Sequence, residues 1–487
     1  MKLYKNYNSL GFNNPYYFND KEGKIVFKEF FNDIINEFND DIIIDITAVN
    51  QVLSLNFMLG DRTLVKDIYK SPWMALPNID LTAFNFKKID KHDEILLDES
   101  QIATKLYSLL REEVKAYVGS SKTIGILLSG GMDSRIVAAI LNDLILDQEI
   151  KIDSVTGYTW GNLNSRDVVY SERICNKLGW KFNHYQVTAD DLWNNIEVAA
   201  FNGCEYSGLH LHAIPQIVKD LDVEVMLAGS FGDSIGRAEY SGRNVTNLVP
   251  LFERRRNFSF LFNKKAYSAT EKAWKQDIES YHQKHKEDKE YQQNELDYQL
   301  HYMRRMLNPC IGLLNEKCNV FQAFTTPEIF QFIWSIDPKY RTDEVYFYIL
   351  KLFKTDFSDI PWARTGLPYG LKTGTPDNFK KEHHSYKDYI LNDLFTKIEN
   401  EIQSGLIYDY IEEDSVNVIL NMVKKFPNHN FDYLERLTWL ASFSLFLKNN
   451  DLKIKGKKNV LKSTSLTLKS FVALRYLIIY SIRKFRK

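Results

Sequence analysis

Between residues 96 and 240 the apolar positions change their spacing repeatedly along the chain. Short continuous apolar runs predict buried strands, and apolar residues at three- and four-residue steps predict helices. In order, the predicted elements are helix "ESQIATKLYSLLREEVKAYV", strand "TIGILL", helix "RIVAAILNDLI", strand "KIDSVTGYT", helix "RDVVYSERICNKLG", strand "KFNHYQV", a helical stretch near 189–220 and strand "VEVMLAG". This alternation predicts an α/β fold, a parallel sheet with helices on both faces.

The rest of the chain has different patterns. Residues 1–95 are mixed, with strand-like pieces at "GKIVF" and "DIIIDI" and a helical stretch at "TAVNQVLSLNFML". Residues 241–450 carry few strand patterns and many helical ones, so we predict a mainly helical C-terminal half. Residues 451–487 combine apolar residues at helical spacing with many basic ones, which predicts a basic amphipathic tail.

Composition narrows the class of protein. The 487 residues are 44% hydrophobic with a formal net charge of −1, which is typical of a globular protein and gives no support for nucleic-acid binding. The four cysteines form no CxxC pair, which argues against structural zinc and a disulfide scaffold. No apolar N-terminal stretch and no run near ~18 apolar residues is present, so we expect a cytoplasmic protein.

Charge is distributed unevenly along the chain. Residues 453–487 hold eleven Lys or Arg and no Asp or Glu, which leaves 51 basic against 63 acidic side chains, or −12, in residues 1–452. The apolar residues that repeat in the tail are Phe471, Leu474, Ile478, Ile482 and Phe485. Basic amphipathic helices bind anionic lipid, so peripheral contact with the inner face of a membrane is one expectation. Docking on the acidic body of the same chain is the other.

A polar loop separates the strand "TIGILL" from the helix that follows it. Its residues are Ser129, Gly130, Gly131, Asp133 and Ser134. Adjacent glycines at a helix N-terminus let backbone N–H groups approach a large anion, and Asp133 is placed to hold a hard cation such as Mg²⁺. The loop lacks the endings of Walker A and dinucleotide-binding loops, so we expect it to bind the β- and γ-phosphates of ATP. A Gly-Gly turn with a serine N-cap is the structural alternative.

The segment "LLSGGMDSR" resembles the pyrophosphatase loop of the asparagine synthetase superfamily. Further resemblances follow in family order, in "LGDRTLVKDIYKSPW", "SVTGYTWGNLNSRDVVYSERICNKLGWKFNHYQVT", "VMLAGSFGDSIGRAEY", "FTTPEIFQFIWSIDPKYR" and "YILKLFKTDFSDIPWAR". The resemblance implies a HUP-like ATP pyrophosphatase domain over residues 96–450, with its α/β part at 96–240 and its helical part at 241–450. It also implies ATP and Mg²⁺ as cofactors.

The resemblance assigns roles to individual residues. Asp133 and Asp233 would share the metal, although Asp233 alone could be an N-cap or turn residue. Arg364 is the cation nearest to the position of a lysine that the family aims at pyrophosphate. Asp167 matches an acidic position of the family. The implied nucleotide contacts are Leu128, Ser129, Gly130, Gly131, Asp133, Ser134, Thr156, Gly157 and Gly229.

The sequence also departs from the family pattern. Members that hydrolyse glutamine begin with a catalytic cysteine after Met removal, whereas this sequence reads Met1-Lys2-Leu3 and its first cysteine is Cys175. Residues 1–95 then resemble a truncated remnant of an N-terminal amidotransferase-like domain, and we expect no glutaminase activity. Ser230 and Ser234 stand where the family has glutamates. The resemblance therefore does not identify the carboxylate substrate that accepts the amine.

The resemblance implies an ATP-dependent, AMP-forming amide ligase. A carboxylate would be activated as an acyl-adenylate and attacked by ammonia or an amine, supplied from outside or by a separate glutaminase. This sequence has an Asp-Ser-Arg loop ending, a truncated front section and a basic tail. In these features it is similar to relatives associated with surface-polysaccharide biosynthesis, in which the carboxyl group of a uronic acid is amidated. The similarity favours a uronic acid as the acceptor. The alternatives are asparagine formation from aspartate and, from another class, a non-catalytic nucleotide-binding protein.

Histidines form two close pairs. His210 and His212 in "GLHLH" would share one face of a strand and could bind metal, but no third ligand is near them in sequence. His383 and His384 lie in a charged segment, which predicts solvated surface.

Overall fold

The structure is a computed structural model that describes residues 15–87, 95–240, 242–427 and 431–452. Its strands are β1 (Tyr16–Asn19), β2 (Ile25–Lys28), β3 (Tyr69–Lys70), β4 (Ala75–Pro77), β5 (Phe84–Phe86), β6 (Thr123–Leu127), β7 (Ser154–Trp160), β8 (Lys181–Tyr185), β9 (Val225–Ala228), β10 (Glu239–Tyr240), β11 (Arg243–Asn244) and β12 (Asn319–Gln322). Its α-helices are α1 (Phe31–Glu37), α2 (Ile46–Leu55), α3 (Glu99–Val118), α4 (Met132–Leu146), α5 (Arg166–Leu178), α6 (Ala189–Phe201), α7 (Ile214–Asp220), α8 (Gly232–Arg237), α9 (Lys264–Lys284), α10 (Glu290–Asp297), α11 (Pro309–Gly312), α12 (Pro327–Trp334), α13 (Asp343–Leu350), α14 (Tyr386–Tyr389), α15 (Phe395–Ile402), α16 (Glu413–Lys425) and α17 (Phe431–Asn449). Two π-helical segments, Tyr298–Leu307 and Ile390–Leu394, and short 3-10 turns connect them.

A five-stranded sheet lies at the centre, with its strands in the order β12-β9-β6-β7-β8. All neighbouring strands in it are parallel. The register pairs Leu127 with Tyr158 on one side and with Ala228 on the other, so β6, β7 and β9 end at the same edge of the sheet. The predicted parallel α/β fold with a helical C-terminal part is confirmed.

Two hydrophobic cores cover the two faces of this sheet. Along β9, Val225 and Leu227 point into one core, and Met226 and Ala228 point into the other. Side chains alternate between the faces of a strand, so a strand covered on both faces must be apolar throughout. This explains why the strands appear in the sequence as continuous apolar runs.

Helix ends follow the local sequence. Helix α3 occupies the predicted stretch residue for residue, since Asp98 and Gln101 form a capping box before it and Gly119 ends it. Helix α5 begins where the Ser165 side chain accepts from Val168 N and ends at Gly179 in the left-handed conformation. Because these caps fix where each helix begins and ends, they also fix where the loops between the helices and the strands of the sheet lie.

One strand prediction was wrong, and one strand was missed. Within "DIIIDI", Ile44 makes only an isolated bridge to Val65, because Asp45 caps helix α2 by accepting from Thr47 N at 2.8 Å. The edge strand β12 was not predicted at all. Its four residues, "NVFQ", are too short to show a period, and only pairing with β9 defines them as a strand.

The first section of the chain, described from residue 15 to residue 87, packs into the same two hydrophobic cores that cover the sheet. It contains the antiparallel sheet β2-β1-β3 and the hairpin β4-β5. Buried side chains of β1, α1 and α2 belong to the hydrophobic core that also contains α6 and α17, with the rings of Phe31 and Phe446 6.1 Å apart. In the described ranges, no helix has the length and apolarity needed to cross a bilayer. The predicted tail, from residue 453 onwards, lies outside the described residues.

Candidate functional site

The glycine loop leads from β6 into helix α4 at the carboxyl edge of the sheet. Ser129 N donates to Ser134 Oγ, and Gly131 N donates to Ser129 Oγ, both at 3.2 Å. The N-cap position of α4 is Gly131, and no side chain caps the helix. The serine N-cap of the structural alternative is therefore absent here, and the N-terminus of a 15-residue helix, with its partial positive charge, opens toward this edge.

The loop after β9 meets the glycine loop directly. Asp233 N donates to Asp133 Oδ2 at 3.0 Å. A Cβ on Gly229 would lie 2.5 Å from the Asp133 carbonyl carbon, and one on Gly232 would lie 2.5 Å from Asp133 Cγ. Glycine at both positions is what allows the two loops to approach each other this closely. The two aspartates that the resemblance paired are thus neighbours in space.

Asp133 has an unusual electrostatic environment. Its Oδ1 is inaccessible to solvent and has no hydrogen-bond partner among the described residues. Burial holds the pKa of Asp133 well above its usual range and the Asp233 carboxylate raises it further, while the Arg237 guanidinium acts in the opposite direction. For Asp133 to be ionised at neutral pH, additional positive charge is needed next to its carboxylate.

Asp233 is bound by two arginines. Arg364 Nη2 lies 2.9 Å from Asp233 Oδ2, and Arg237 pairs with Asp233 Oδ1. Arg364 also reaches Glu239, with Nη1 2.5 Å from Oε1. The predicted cation Arg364 therefore lies beside the aspartate pair, where its charge is shared between two carboxylates.

Arg135, which was not singled out as a functional residue from the sequence, holds Arg364 in place indirectly. Its guanidinium is buried and donates to Ile360 O and Pro361 O, both at 2.7 Å. Ala363 N donates to Gly130 O at 3.0 Å, which fixes the next residues of the same segment to the glycine loop. The sequence does contain a sign of this role, because Arg135 is a charged residue at the start of the apolar stretch "RIVAAIL". A charged side chain that is buried with such a stretch needs a specific hydrogen-bond partner.

The residues present fit a magnesium ion that is shared with a nucleotide. Among the described residues, no group of three or more His, Cys, Asp or Glu could hold a metal ion by itself. Mg²⁺ is usually bound by one or two carboxylates together with substrate phosphates and water, and not by an all-protein cage. Asp133 and Asp233 supply such a pair, and Asp133 Oδ1 is the oxygen without a partner.

A cavity of about 360 Å³ opens beside the loop. Of the predicted nucleotide contacts, it is lined by Leu128, Ser129, Gly131, Asp133, Ser134 and Gly229. Gly130 does not line it, and its N–H donates instead to Asp167 Oδ1 at 3.0 Å. Thr156 and Gly157 lie within β7 and are not among the lining residues either. The remaining lining residues are Leu127, Trp160, His210, His212, Ile214, Ser230, Met306, Leu307, Cys310 and Ile311.

One wall of the cavity carries aromatic and histidine side chains that the sequence did not bring together. The His212 ring stacks on Trp160, with centroids 5.6 Å apart, and its Nδ1 lies 2.9 Å from Tyr386 Oη. His384 stacks on Tyr386 at 4.1 Å. His383 and His384 are partly buried, so their prediction as solvated surface was wrong.

His210 and His212 do not share a strand face. The segment Gly208–Leu211 is a 3-10 turn, and His210 Nε2 lies 2.8 Å from Glu435 Oε1 while His212 contacts Tyr386. The two rings therefore have separate partners.

Comparison with known proteins identifies a family to which about half of the chain is similar. The family model described as asparagine synthase matches residues 105–344. Residues 105–344 form an asparagine synthase domain. A probable glutamine-hydrolysing asparagine synthetase from Acanthamoeba polyphaga mimivirus is 29% identical over 156 residues, which is 30% of this chain and 27% of that protein. The match thus spans about a quarter of the length of that curated relative.

The asparagine synthase domain contains all five strands of the central sheet and both aspartates of the site. It begins within helix α3 and ends at the start of α13. Arg364 and Tyr386 lie beyond it, on segments that return to the same edge of the sheet. The site therefore combines residues of the matched domain with residues of the helical part that follows.

Proposed function

We propose that this protein is an ATP-dependent, AMP-forming ligase that joins a carboxylate to ammonia or an amine. The observation that carries the proposal is the junction of the two loops. The glycine loop and the loop after β9 place Asp133 and Asp233 side by side at an uncapped helix N-terminus, at the edge of the sheet where α/β proteins bind ligands.

In the first step, an oxygen of the substrate carboxylate attacks the α-phosphorus of ATP, and pyrophosphate leaves. Negative charge develops on the leaving pyrophosphate. The N-terminus of α4 and the cation Arg364 are placed to stabilise that charge. When bound, Mg²⁺ would supply further positive charge, held by Asp133 and Asp233. The product of this step is an acyl-adenylate, in which AMP is a good leaving group.

In the second step, the amine nitrogen attacks the acyl carbon and AMP leaves. Ammonia from solution, or from a separate glutaminase, is the proposed nitrogen source. Water must be kept from the acyl-adenylate during this step. The cavity beside the loop has a largely apolar lining, with Met306, Leu307 and Ile311 among its residues, which suits that requirement.

A uronic acid is the acceptor that we favour, in the setting of surface-polysaccharide synthesis. The described residues that line the cavity include no Lys or Arg, and Asp133 is the sole Asp or Glu among them. An aspartate acceptor would bring an ammonium and a second carboxylate, which need charged partners when removed from water. A uronic acid brings one carboxylate and a hydroxylated ring that can stack on an aromatic side chain such as Trp160. Asparagine formation is the second candidate.

ATP–pyrophosphate exchange tests the proposal, because only the first step is needed for it. The full chain is incubated with Mg²⁺-ATP, labelled pyrophosphate and either D-glucuronate or L-aspartate. Exchange that depends on glucuronate supports glycan amidation, and exchange that depends on aspartate supports asparagine formation. A chain that binds ATP but exchanges with neither acceptor is the non-catalytic nucleotide-binding protein, and the proposed ligase is then wrong.

A further inference from the structure

The second step of the proposed reaction needs a group that accepts a proton from the amine, and Asp133, Asp233 and Arg364 do not provide one. An amine that attacks an acyl carbon becomes positively charged and must lose a proton before the amide is stable. Asp133 accepts from Asp233 N, and the Asp233 carboxylate is paired with Arg237 and Arg364, so both carboxylates are assigned to the activation step. Apart from Asp133, the ionisable side chains among the described residues that line the cavity are His210, His212 and Cys310.

His210 and Cys310 are poorly suited to this role. His210 Nε2 is held by Glu435 at 2.8 Å, and its other nitrogen, Nδ1, is shielded from solvent, so an incoming amine does not reach it. Cys310 is buried and its Sγ donates to Leu307 O, and burial raises the pKa of its thiol to about 12. His212 differs from both, since Nδ1 contacts Tyr386 Oη at 2.9 Å and Nε2 makes no hydrogen bond with the described residues.

The backbone at His212 is held in a conformation that few residues adopt. Its φ of 50° lies in the left-handed region, which disfavours side chains other than glycine and persists only where the surroundings enforce it. Asn195 Nδ2 donates to His212 O at 2.8 Å, and the ring lies against Trp160. The fold therefore fixes the direction of this imidazole as well as its position.

The ring is also kept neutral. Burial lowers the pKa of His212 well below its usual range, and the neighbouring His383, His210 and His384 lower it further. A neutral imidazole has one nitrogen with a free lone pair, and the partner of the other nitrogen decides which one it is.

We propose that His212 is the base of the amide-forming step, an inference that rests on the proposed function. In this role the Nδ1–H donates to the Tyr386 oxygen, which leaves the lone pair on Nε2. The amine nitrogen forms the C–N bond, the bond from the acyl carbon to the phosphate oxygen breaks, and AMP leaves with that electron pair. One N–H proton passes from the amine to Nε2. Tyr386 is a positioning residue, which sets the tautomer and is itself supported by the stacked ring of His384.

The test separates the two steps in a His212→Gln variant of the full chain. ATP–pyrophosphate exchange, measured with the acceptor that supports it in the wild type, should stay close to the wild-type rate. Amide formation from ammonium chloride should fall by about 100-fold or more, the usual contribution of a general base. Added imidazole should restore part of the amide formation without changing exchange. His282→Gln, a histidine that pairs with Asp297 and does not line the cavity, is the matched control.

Each result decides between the two proposals. Equal loss of exchange and amide formation in His212→Gln means that the ring only shapes the cavity, and unchanged amide formation excludes it as the base. In both cases the ligase itself stands. Absence of exchange in the wild type with either acceptor overturns the proposed function, and the role of His212 with it.

Discussion

Asp133 shows how a single residue can be prepared for a ligand by its surroundings. It lies in the first turn of helix α4, accepts a hydrogen bond from Asp233 N, and keeps its other carboxylate oxygen shielded from solvent. A buried acid next to a second acid is destabilising unless a cation joins it. This environment supports the proposed role of Asp133, which is to hold a cation beside the phosphates of ATP.

Replacing Asp133 with Asn should abolish the activation step and leave the fold intact. We expect ATP–pyrophosphate exchange to fall by about 100-fold or more, because a charged metal ligand is lost. The melting temperature should stay level or rise, since a buried like-charge pair is removed. Asp143→Asn on the same helix, where the carboxylate accepts from Lys354 N, should keep full exchange. Normal exchange by Asp133→Asn at saturating Mg²⁺-ATP would show that the loop has been assigned incorrectly.

At the scale of secondary-structure elements, a buried charge cluster joins the first section to the rest of the molecule. Glu205 lies before the 3-10 turn that carries His210 and is fully buried. It accepts from Tyr16 Oη of β1 at 2.6 Å and from Arg305 of the π-helix at 2.6 Å, and it lies 3.4 Å from Lys70 of β3. These partners hold the pKa of Glu205 at about 2 despite its burial.

This cluster predicts a loss of stability in acid. The pKa of Glu205 falls from 4.5 to about 2 on folding, so its contribution to stability is present above about pH 4.5 and is lost as the pH falls toward 2. Glu205→Gln leaves Arg305 and Lys70 without a counter-charge and should cost roughly 3 kcal/mol of unfolding free energy at pH 7. Thermal unfolding at pH 7 and pH 3 measures both effects. The melting temperature should differ less between pH 7 and pH 3 in Glu205→Gln than in the wild type.

Glu37→Gln provides the control for this prediction. Glu37 pairs with Lys28 at the surface of the same section, and an exposed pair contributes little to stability. Its melting temperature should match the wild type at both pH values. A Glu205→Gln variant as stable as this control would show that the cluster does not hold the first section in place.

At the scale of the whole molecule, the cysteines argue against glutamine hydrolysis by this chain. A glutaminase of this type needs a reactive thiolate, which requires a lowered thiol pKa. All four cysteines of the sequence are buried, and burial raises the pKa of Cys175, Cys204, Cys310 and Cys318 above the ordinary value. We expect the purified chain to use ammonium chloride and to release no glutamate from glutamine. Glutamate release at a rate that matches amide formation would contradict this expectation.

The basic tail of the sequence, residues 453–487, lies outside the described residues. Its eleven basic side chains and its apolar stripe should bind vesicles that contain anionic lipid. Each basic residue near the lipid surface contributes up to about 1 kcal/mol to the binding free energy. Flotation should weaken with salt, because the screening length falls to about 3 Å at 1 M. Residues 1–452 should not float with the vesicles. Equal flotation of the two chains excludes the membrane, and a lower melting temperature of the shorter chain would favour docking on the body.

The order of the strands and helices between residues 96 and 240, and the position of the loop "SGGMDS" between a strand and a helix, could be predicted from the sequence. Both depend on local features: the period of apolar residues, the caps of α3 and α5, and the freedom of two adjacent glycines. The expectation that Asp133 and Asp233 would meet came from the family resemblance. The contact itself depends on β6 and β9 being neighbours in the sheet.

Tertiary structure alone decided which distant residues complete the site. Arg364 reaches Asp233 across 131 positions because Arg135 holds the segment before it, and Tyr386 reaches His212 across 174 positions. No periodicity along the chain encodes such pairs, since they arise when segments of the helical half pack against the edge of the sheet. The short strand β12 and the partly buried His383 and His384 could not be predicted for the same reason. Their environment is supplied by residues that lie far from them in the sequence.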